Sequence, residues 1–106
     1  MLIRPLVVIP TKDNVFTVSQ VAHECSQFVS DILIVNDGST DGTGQVLSTL
    51  GDAFSVVTHP TNKGKGAALA TALQWAKSHG FSHVVAIDAD GQHFPSDLPH
   101  FLAALK

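Results

Sequence analysis

The sequence predicts a doubly wound α/β domain, a parallel sheet of about four strands with helices on both faces. Three observations carry that expectation. Short apolar runs rich in Val and Ile alternate with helical patterns along the whole chain. The runs are continuously apolar instead of alternating with polar residues, which suits strands covered on both sides. Finally, polar clusters follow the first, second and fourth runs, at the strand ends where open α/β sheets bind ligands. Right-handed crossovers between the strands complete the arrangement.

The elements follow in order. Leu6-Val7-Val8-Ile9 is the first strand, stopped by Pro10, and apolar positions at helical spacing then run from about Thr17 to Phe28. Ile32-Leu33-Ile34-Val35 is the second strand, ending at Asn36-Asp37-Gly38-Ser39. A short helix spans roughly Thr43 to Leu50, with Gly51 as its stop signal. The third strand is Phe54 to Thr58, and a turn from His59 to Gly64 leads into the strongest helical pattern, Gly66 to Ser78. In that helix Trp75, Leu69, Ala72, Leu73 and Ala76 form a stripe that reads as core. The fourth strand is His83 to Ile87, and a last helix begins near Pro95 or Ser96 and runs to Lys106.

Composition bounds the function. A chain of 106 residues supports one domain, 1–106, with one modest core, and 44% hydrophobic against 14% charged residues excludes disorder. A net charge of −3 and a pI near 6.0 give no general attraction to nucleic acid or to an anionic membrane, so no nucleic-acid partner is expected. The single Cys25 excludes an internal disulfide and falls in a helical pattern with Val18, Val21 and Ala22, as a small core residue would. The N-terminus runs straight into a strand without a cleavage-site pattern, and no apolar run approaches membrane-spanning length. A cytoplasmic chain is the expectation.

The polar clusters carry the chemistry. Asp88-Ala89-Asp90-Gly91-Gln92-His93 follows the fourth strand. Two carboxylates two residues apart at a strand mouth can converge on one hard cation, and Gln92 adds a neutral oxygen at the same spacing. A cation so held keeps open positions for phosphate oxygens. The competing reading is a solvated strand end or a helix cap, but Ser96 already serves as a candidate cap. His93 can ligate, contact substrate or hydrogen-bond a loop, whereas His23, His59, His79, His83 and His100 show no ligand spacing and read as surface or structural.

The cluster after the second strand, Asp37 to Thr43, reads first as a turn with Ser39 or Thr40 as N-cap. That leaves Asp37 unexplained, and an acidic group at the end of this strand commonly takes hydrogen bonds from a base or ribose. Asn62-Lys63-Gly64-Lys65-Gly66 precedes a helix and reads equally as a Gly-rich turn or as an anion site, with Lys65 the better contact. Its spacing is not that of a P-loop.

The ordered motifs Val7 to Thr11, Val35 to Thr43, Asn62 to Gly66 and Asp88 to Pro95 resemble the family 2 glycosyltransferases, whose fold is the Rossmann-like GT-A nucleotide-diphospho-sugar transferase. The last motif looks most like the branch that makes polyprenyl-phosphate sugars, the dolichyl-phosphate mannose and glucose synthases. The resemblance implies that Pro10, Thr11 and Asn14 line the nucleotide pocket and that Asp37 bonds a uracil or guanine ring. It places Lys65 near the donor. It also implies that Asp88, Asp90 and Gln92 hold Mg²⁺ or Mn²⁺ against the diphosphate of a UDP- or GDP-sugar. Lys12 stands where an aromatic residue is frequent, Asp13-Asn14 replaces a common Asn-Glu, and Asn36 replaces the first of two frequent aspartates.

Members of that family continue into further strands and helices that bind the acceptor, so the chain reads as the donor-binding N-terminal part. The intact enzyme is expected to transfer a hexose to a polyprenyl phosphate or a glycan, at a membrane surface when full-length. The rival readings are a non-catalytic nucleotide-binding module and a nucleotidyltransferase on a similar fold. The last is disfavoured because no Gly-rich phosphate loop follows the first strand. An incomplete parallel sheet leaves an open edge and apolar surface, which predicts self-association, most simply a symmetric dimer.

Overall fold

The computed structural model describes residues 3–90 and 98–104. The elements are β1 (Pro5–Thr11), α1 (Val18–Ser26), β2 (Ile32–Asp37), α2 (Thr43–Leu47), β3 (Ser55–His59), α3 (Lys65–Ser78), β4 (His83–Ala86) and α4 (Leu98–Ala104). The four strands form one parallel sheet in the order β3-β2-β1-β4. Successive side chains of a strand point to opposite faces, so the two central strands divide their residues between two cores. Val7, Ile9, Ile32 and Ile34 pack with Val18, Val21, Ala22 and Cys25 of α1, Leu47 of α2 and Leu98 of α4. Leu6, Val8, Leu33 and Val35 pack on the other face against Ala68, Ala72 and Ala76 of α3. This is the doubly wound α/β arrangement expected.

Coverage on both faces holds for the centre of the sheet only. All of β2 is buried, as is most of β1, whereas β3 is exposed at Ser55, Val56 and Thr58 and β4 is nowhere fully buried. Those two strands are the sheet edges, where apolar sequence reports strand propensity without full coverage.

Several boundaries differ for physical reasons. Pro10 does not stop β1, which continues through the pairs Pro10↔Val35 and Thr11↔Asn36. In a parallel strand alternate residues bond to opposite neighbours. Val7 N–H donates toward β2, at Asp31 O, and Val8 O accepts from Ile87 N on the β4 side. By that alternation the missing amide of Pro10 faces β4, where strand pairing has already ended at Val8↔Ala86. No ladder bond to β2 is lost, and the β1–β4 ladder has no donor there with which to continue.

The strands β2 and β3 each run on to Asp37 and His59, so His59 belongs to a strand and not to the turn. The helix α2 is shorter than expected because its last residues tighten into i→i+3 bonds, Thr49 N to Val46 O and Leu50 N to Leu47 O. Gly51 follows with φ +84°, the stop anticipated. In α3 the buried stripe is Ala68, Ala72 and Ala76, and Leu73 is 58% exposed. Leu73 lies one position, about 100° of helix rotation, past Ala72, and small alanines let the helix sit close on the sheet. Cys25 is buried as anticipated, and burial pushes its thiol up to about 11, so it is an inert core group. The expected start of the last helix at Pro95 or Ser96 lies outside the described residues, as do Gln92 and His93.

Candidate functional site

The strand order reverses direction between β1 and β4, and there the two strands separate beyond their carboxyl ends. A cleft of about 400 Å³ opens at that point. It is lined by Pro10, Thr11 and Asn14 from the end of β1, by Asp37 from β2, by Asn62, Gly64 and Lys65 from the turn into α3, and by Asp88 and Asp90 beyond β4. Every site residue expected from sequence and described by the structure therefore converges on one cavity. Gln92, the expected third metal contact, is not among the described residues.

The end of β1 is a rigid turn. Asn14 Oδ1 accepts from the Thr11 hydroxyl at 2.8 Å and from Lys12 N at 3.1 Å, and its carbonyl accepts from Val18 N at the start of α1. Asp13 sits at φ +56°, a conformation that Asp tolerates better than most residues. Its carboxylate accepts from Thr40 N and pairs with Lys12 Nζ at 2.7 Å, and Asp13 N donates to Ser39 Oγ. The hydrogen bond from Lys12, reinforced by that from Thr40 N, holds the Asp13 carboxyl below its ordinary range, and the same contact raises Lys12. The Thr17 hydroxyl donates to Ala89 O, tying this turn to the Asp88–Asp90 segment.

Ser39 and Thr40 thus do not cap α2, contrary to the sequence expectation. They are taken up by Asp13, 26 and 27 residues away. Gly42 occupies the N-cap position with φ +96°, and Asp41 supplies the missing acceptor, taking Thr43 N at 3.0 Å on one oxygen and Val15 N at 3.1 Å on the other. The Thr43 hydroxyl, the foremost of these contacts, helps hold the Asp41 carboxyl low.

Asp37 organises the other wall. It is 4% exposed. Its Oδ1 accepts from Lys63 N at 2.9 Å and from His59 Nδ1 at 2.8 Å, and its Oδ2 accepts from Gly64 N at 2.8 Å. Because a carboxylate only accepts, His59 must carry its proton on Nδ1, and Nε2 then meets the Thr71 hydroxyl at 2.9 Å. Burial alone would raise the Asp37 pKa, but the bonds from His59, Lys63 N and Gly64 N outweigh it and hold the carboxyl low. Next to it Gly38 has φ +68°, and a Cβ there would lie 2.3 Å from Asn62 N. Only glycine lets the 61–64 turn pack this closely on β2.

Across the cleft Lys65 Nζ pairs with Asp88 Oδ1 at 2.8 Å. Asp88 is half-buried and Asp90 exposed. Two carboxylate donors beside a cleft with room for a phosphate ligand match what Mg²⁺ or Mn²⁺ needs, since such ions bind through one or two carboxylates plus water and phosphate oxygens. Among the described residues no group of three or more His, Cys, Asp or Glu side chains is placed to hold a metal by itself. The donor chemistry at Asp88 and Asp90 therefore fits a cation that arrives with its own phosphate ligands.

Sequence reasoning missed the roles of His59 and Thr71 and the capping role of Asp41. A signal existed only for Asp41, an acidic residue two positions before the helix start. His59 bonds to Asp37 from 22 residues away and to Thr71 from 12, and no local pattern announces either contact.

A parallel α/β sheet with acidic and basic side chains gathered at its switch point defines a ligand-binding domain of the doubly wound class. Residues 7–106 match the model of Glycosyl transferase family 2, and the chain belongs to that family. It is 38% identical over 110 residues to the polyprenol monophosphomannose synthase of Mycolicibacterium smegmatis, covering 96% of this chain and 41% of that protein. It is 35% identical over 108 residues to the undecaprenyl-phosphate mannosyltransferase of Micrococcus luteus, covering 97% and 44%. The chain thus spans 41% and 44% of the length of these relatives. Among solved structures, the glucosyl-3-phosphoglycerate synthase of Mycobacterium tuberculosis in complex with UDP superposes with a TM-score of 0.72 at 27% identity, covering 96% of this chain and 39% of that one. The S. aureus TarS 1–349 structure gives 0.73 at 22% identity, covering 95% and 32%, a likeness of fold. The fold is the GT-A fold of glycosyltransferases, and this chain covers about a third to two fifths of those two structures. Among the described residues no helix is long and apolar enough to cross a membrane.

Proposed function

We propose that the cleft binds a nucleoside-diphosphate sugar together with Mg²⁺ or Mn²⁺, and that the whole protein transfers the hexose to a polyprenyl phosphate. The observation that carries this reading is the convergence of Thr11, Asn14, Asp37, Lys65, Asp88 and Asp90 on one cleft at the switch point. The names of the two relatives, a polyprenol monophosphomannose synthase and an undecaprenyl-phosphate mannosyltransferase, support the acceptor class, and the UDP-bound neighbour supports a nucleoside diphosphate. The base, uracil or guanine, is the proposed partner of Asp37, which lines the cleft while it holds the 63–64 backbone.

In the reaction an acceptor phosphate oxygen forms the new bond to the anomeric carbon. The bond from that carbon to the diphosphate oxygen breaks, and the nucleoside diphosphate leaves with the electron pair. A phosphate acceptor is already an anion and needs no base to deprotonate it. When bound, the cation supplies Lewis-acid stabilisation of the charge growing on the leaving diphosphate. Asp88 and Asp90 (the Asp-X-Asp pair) would hold it, with Gln92 the proposed third contact. Lys65 adds positive charge, and the Thr11–Asn14 turn shapes the donor wall.

The short span relative to the relatives favours a second reading for these 106 residues taken alone, in which they bind donor without transferring it. Calorimetry with UDP- and GDP-sugars, with and without Mn²⁺, tests donor binding, and transfer to a polyprenyl phosphate tests the reaction. Asp90→Ala should abolish metal-dependent nucleotide binding, and an unchanged affinity with Mn²⁺ present would refute the metal assignment. Self-association is proposed to cover the open edges and exposed Val56; a stable monomer in sedimentation at high concentration would refute it.

A further inference from the structure

Lys65 and Asp88 both line the cleft, and they face each other across it. Lys65 is the first residue of α3, its side chain is 63% exposed, and it stands between two glycines, Gly64 and Gly66, that have open space where a side chain would lie. Asp88 stands beyond β4 with its side chain 28% exposed, and its Oδ1 receives Lys65 Nζ at 2.8 Å. The ammonium thus sits on an oxygen that a divalent cation would use. Two cations on one carboxylate oxygen repel each other, so a metal arriving alone must displace Lys65 or bind against it. A diphosphate arriving alone meets Asp88 and Asp90 and is repelled in turn. When both arrive together the conflict disappears. Asp88 and Asp90 would then hold the metal, and the flexible Lys65 stem would carry its charge a short way onto phosphate oxygen.

We propose that Lys65 is an exchangeable counter-charge of Asp88, which makes divalent cation and nucleoside diphosphate bind cooperatively to this site. The proposal rests on the donor-site reading above and deepens it. It assigns Lys65 a role in coupling the two ligands, beyond contact with the donor. It also predicts effects of opposite sign on the two ligands when the lysine charge is removed, which an ordinary phosphate-contacting lysine would not produce.

The test uses the 106-residue chain, with Mn²⁺ binding read by electron paramagnetic resonance and UDP and GDP binding read by calorimetry in EDTA or in Mn²⁺. Lys65→Met should bind Mn²⁺ alone about 2- to 5-fold more tightly, the range set by a largely exposed ion pair. It should bind the nucleotide in Mn²⁺ roughly tenfold more weakly, as loss of a charge-assisted hydrogen bond implies. Lys65→Arg, which keeps the charge, should restore the wild-type pattern. An unchanged or weakened Mn²⁺ affinity in Lys65→Met would overturn the proposal, as would an equal loss of nucleotide affinity with and without Mn²⁺. Asp88→Asn separates the two levels of the argument. If it removes the Mn²⁺ dependence of nucleotide binding while Lys65→Met changes nothing, the inference falls and the donor site stands. If the wild-type chain binds neither nucleotide under any condition, both fall.

Discussion

Removing the Asp37 carboxylate should destabilise the domain more than any other single change in the cleft. The side chain is 4% exposed and accepts from His59 Nδ1, Lys63 N and Gly64 N at 2.8, 2.9 and 2.8 Å. Asp37→Ala leaves two backbone amides and one imidazole N–H facing a cavity. A hydrogen bond to a charged group contributes about 1.5–3 kcal/mol, and each orphaned buried donor costs about 1–3 kcal/mol. Those are two views of the same loss and must not be added. Relaxation of the 61–64 turn toward water recovers part of it, which leaves about 3–5 kcal/mol, the range for breaking one side of a buried polar pair. Against a typical total of about 5–15 kcal/mol this is a large fraction.

Urea unfolding at neutral pH measures the loss directly. The pH dependence provides a second, independent sign. The folded carboxyl is held below its ordinary range, so the unfolded chain takes up this proton first as pH falls. The stabilisation is complete well above the unfolded value of about 3.9 and is lost as pH drops through the lower folded value. Asp37→Ala should therefore flatten the acid limb of the stability curve as well as lower its plateau. A loss below about 1 kcal/mol, typical of one ordinary hydrogen bond, would refute the view that this carboxylate holds the wall together. So would an acid limb identical to wild type.

Three further changes test the packing of the cleft wall and of α3. Gly38→Ala forces a side chain into a left-handed backbone position and into contact with Asn62 N, and should cost about 2–4 kcal/mol in the same assay. It should also weaken nucleotide binding by shifting the turn that presents Lys65; wild-type stability would mean the turn is not fixed by this contact. On α3, Ala72→Leu should cost about 1–3 kcal/mol by overpacking a position with no exposure, whereas Leu73→Ser should stay within about 0.5 kcal/mol. Equal effects at both sites would refute the assignment of the alanine stripe to the core.

The sequence made the positions of the site legible and left its internal bonding hidden. Apolar runs locate strand ends, and in a parallel sheet the strand ends locate the cleft, so the clusters holding Asp37, Asp88 and Asp90 could be placed from pattern, while Thr11 and Asn14 are singled out by the family resemblance. What each polar group bonds to is set by partners far along the chain. Ser39 has the composition of a helix cap, but Asp13, brought alongside by the pairing of β1 with β2, takes its hydroxyl instead. The exposure of Leu73 was hidden because a leucine next to an alanine stripe has the same helical spacing as a core leucine would. The partial coverage of β3 and β4 was hidden because apolar composition does not distinguish a central strand from an edge.

Pro10 shows how sequence and cleft are connected. Read along the chain it looks like a strand terminator, and in the sheet it is an ordinary member of β1 on the side facing β2. Its lost donor points toward β4, just past the last pair of the β1–β4 ladder. With no amide there, β1 has no donor to offer β4 at this position, and Pro10 itself lines the cleft beyond the last pair. Thr11 and Asn14 continue that wall in a turn closed by their own hydrogen bond, and the Thr17 hydroxyl fixes the turn to Ala89, between the two carboxylates. The distance between the proposed donor wall and the proposed cation ligands is thus set by backbone and part-buried polar contacts, while Lys65 and Lys12 are longer charged side chains lining the same gap. Among the described residues, the polar groups proposed to contact the ligands already stand around the cleft. A ligand bound there would have to displace the Lys65–Asp88 pairing already present in the cleft.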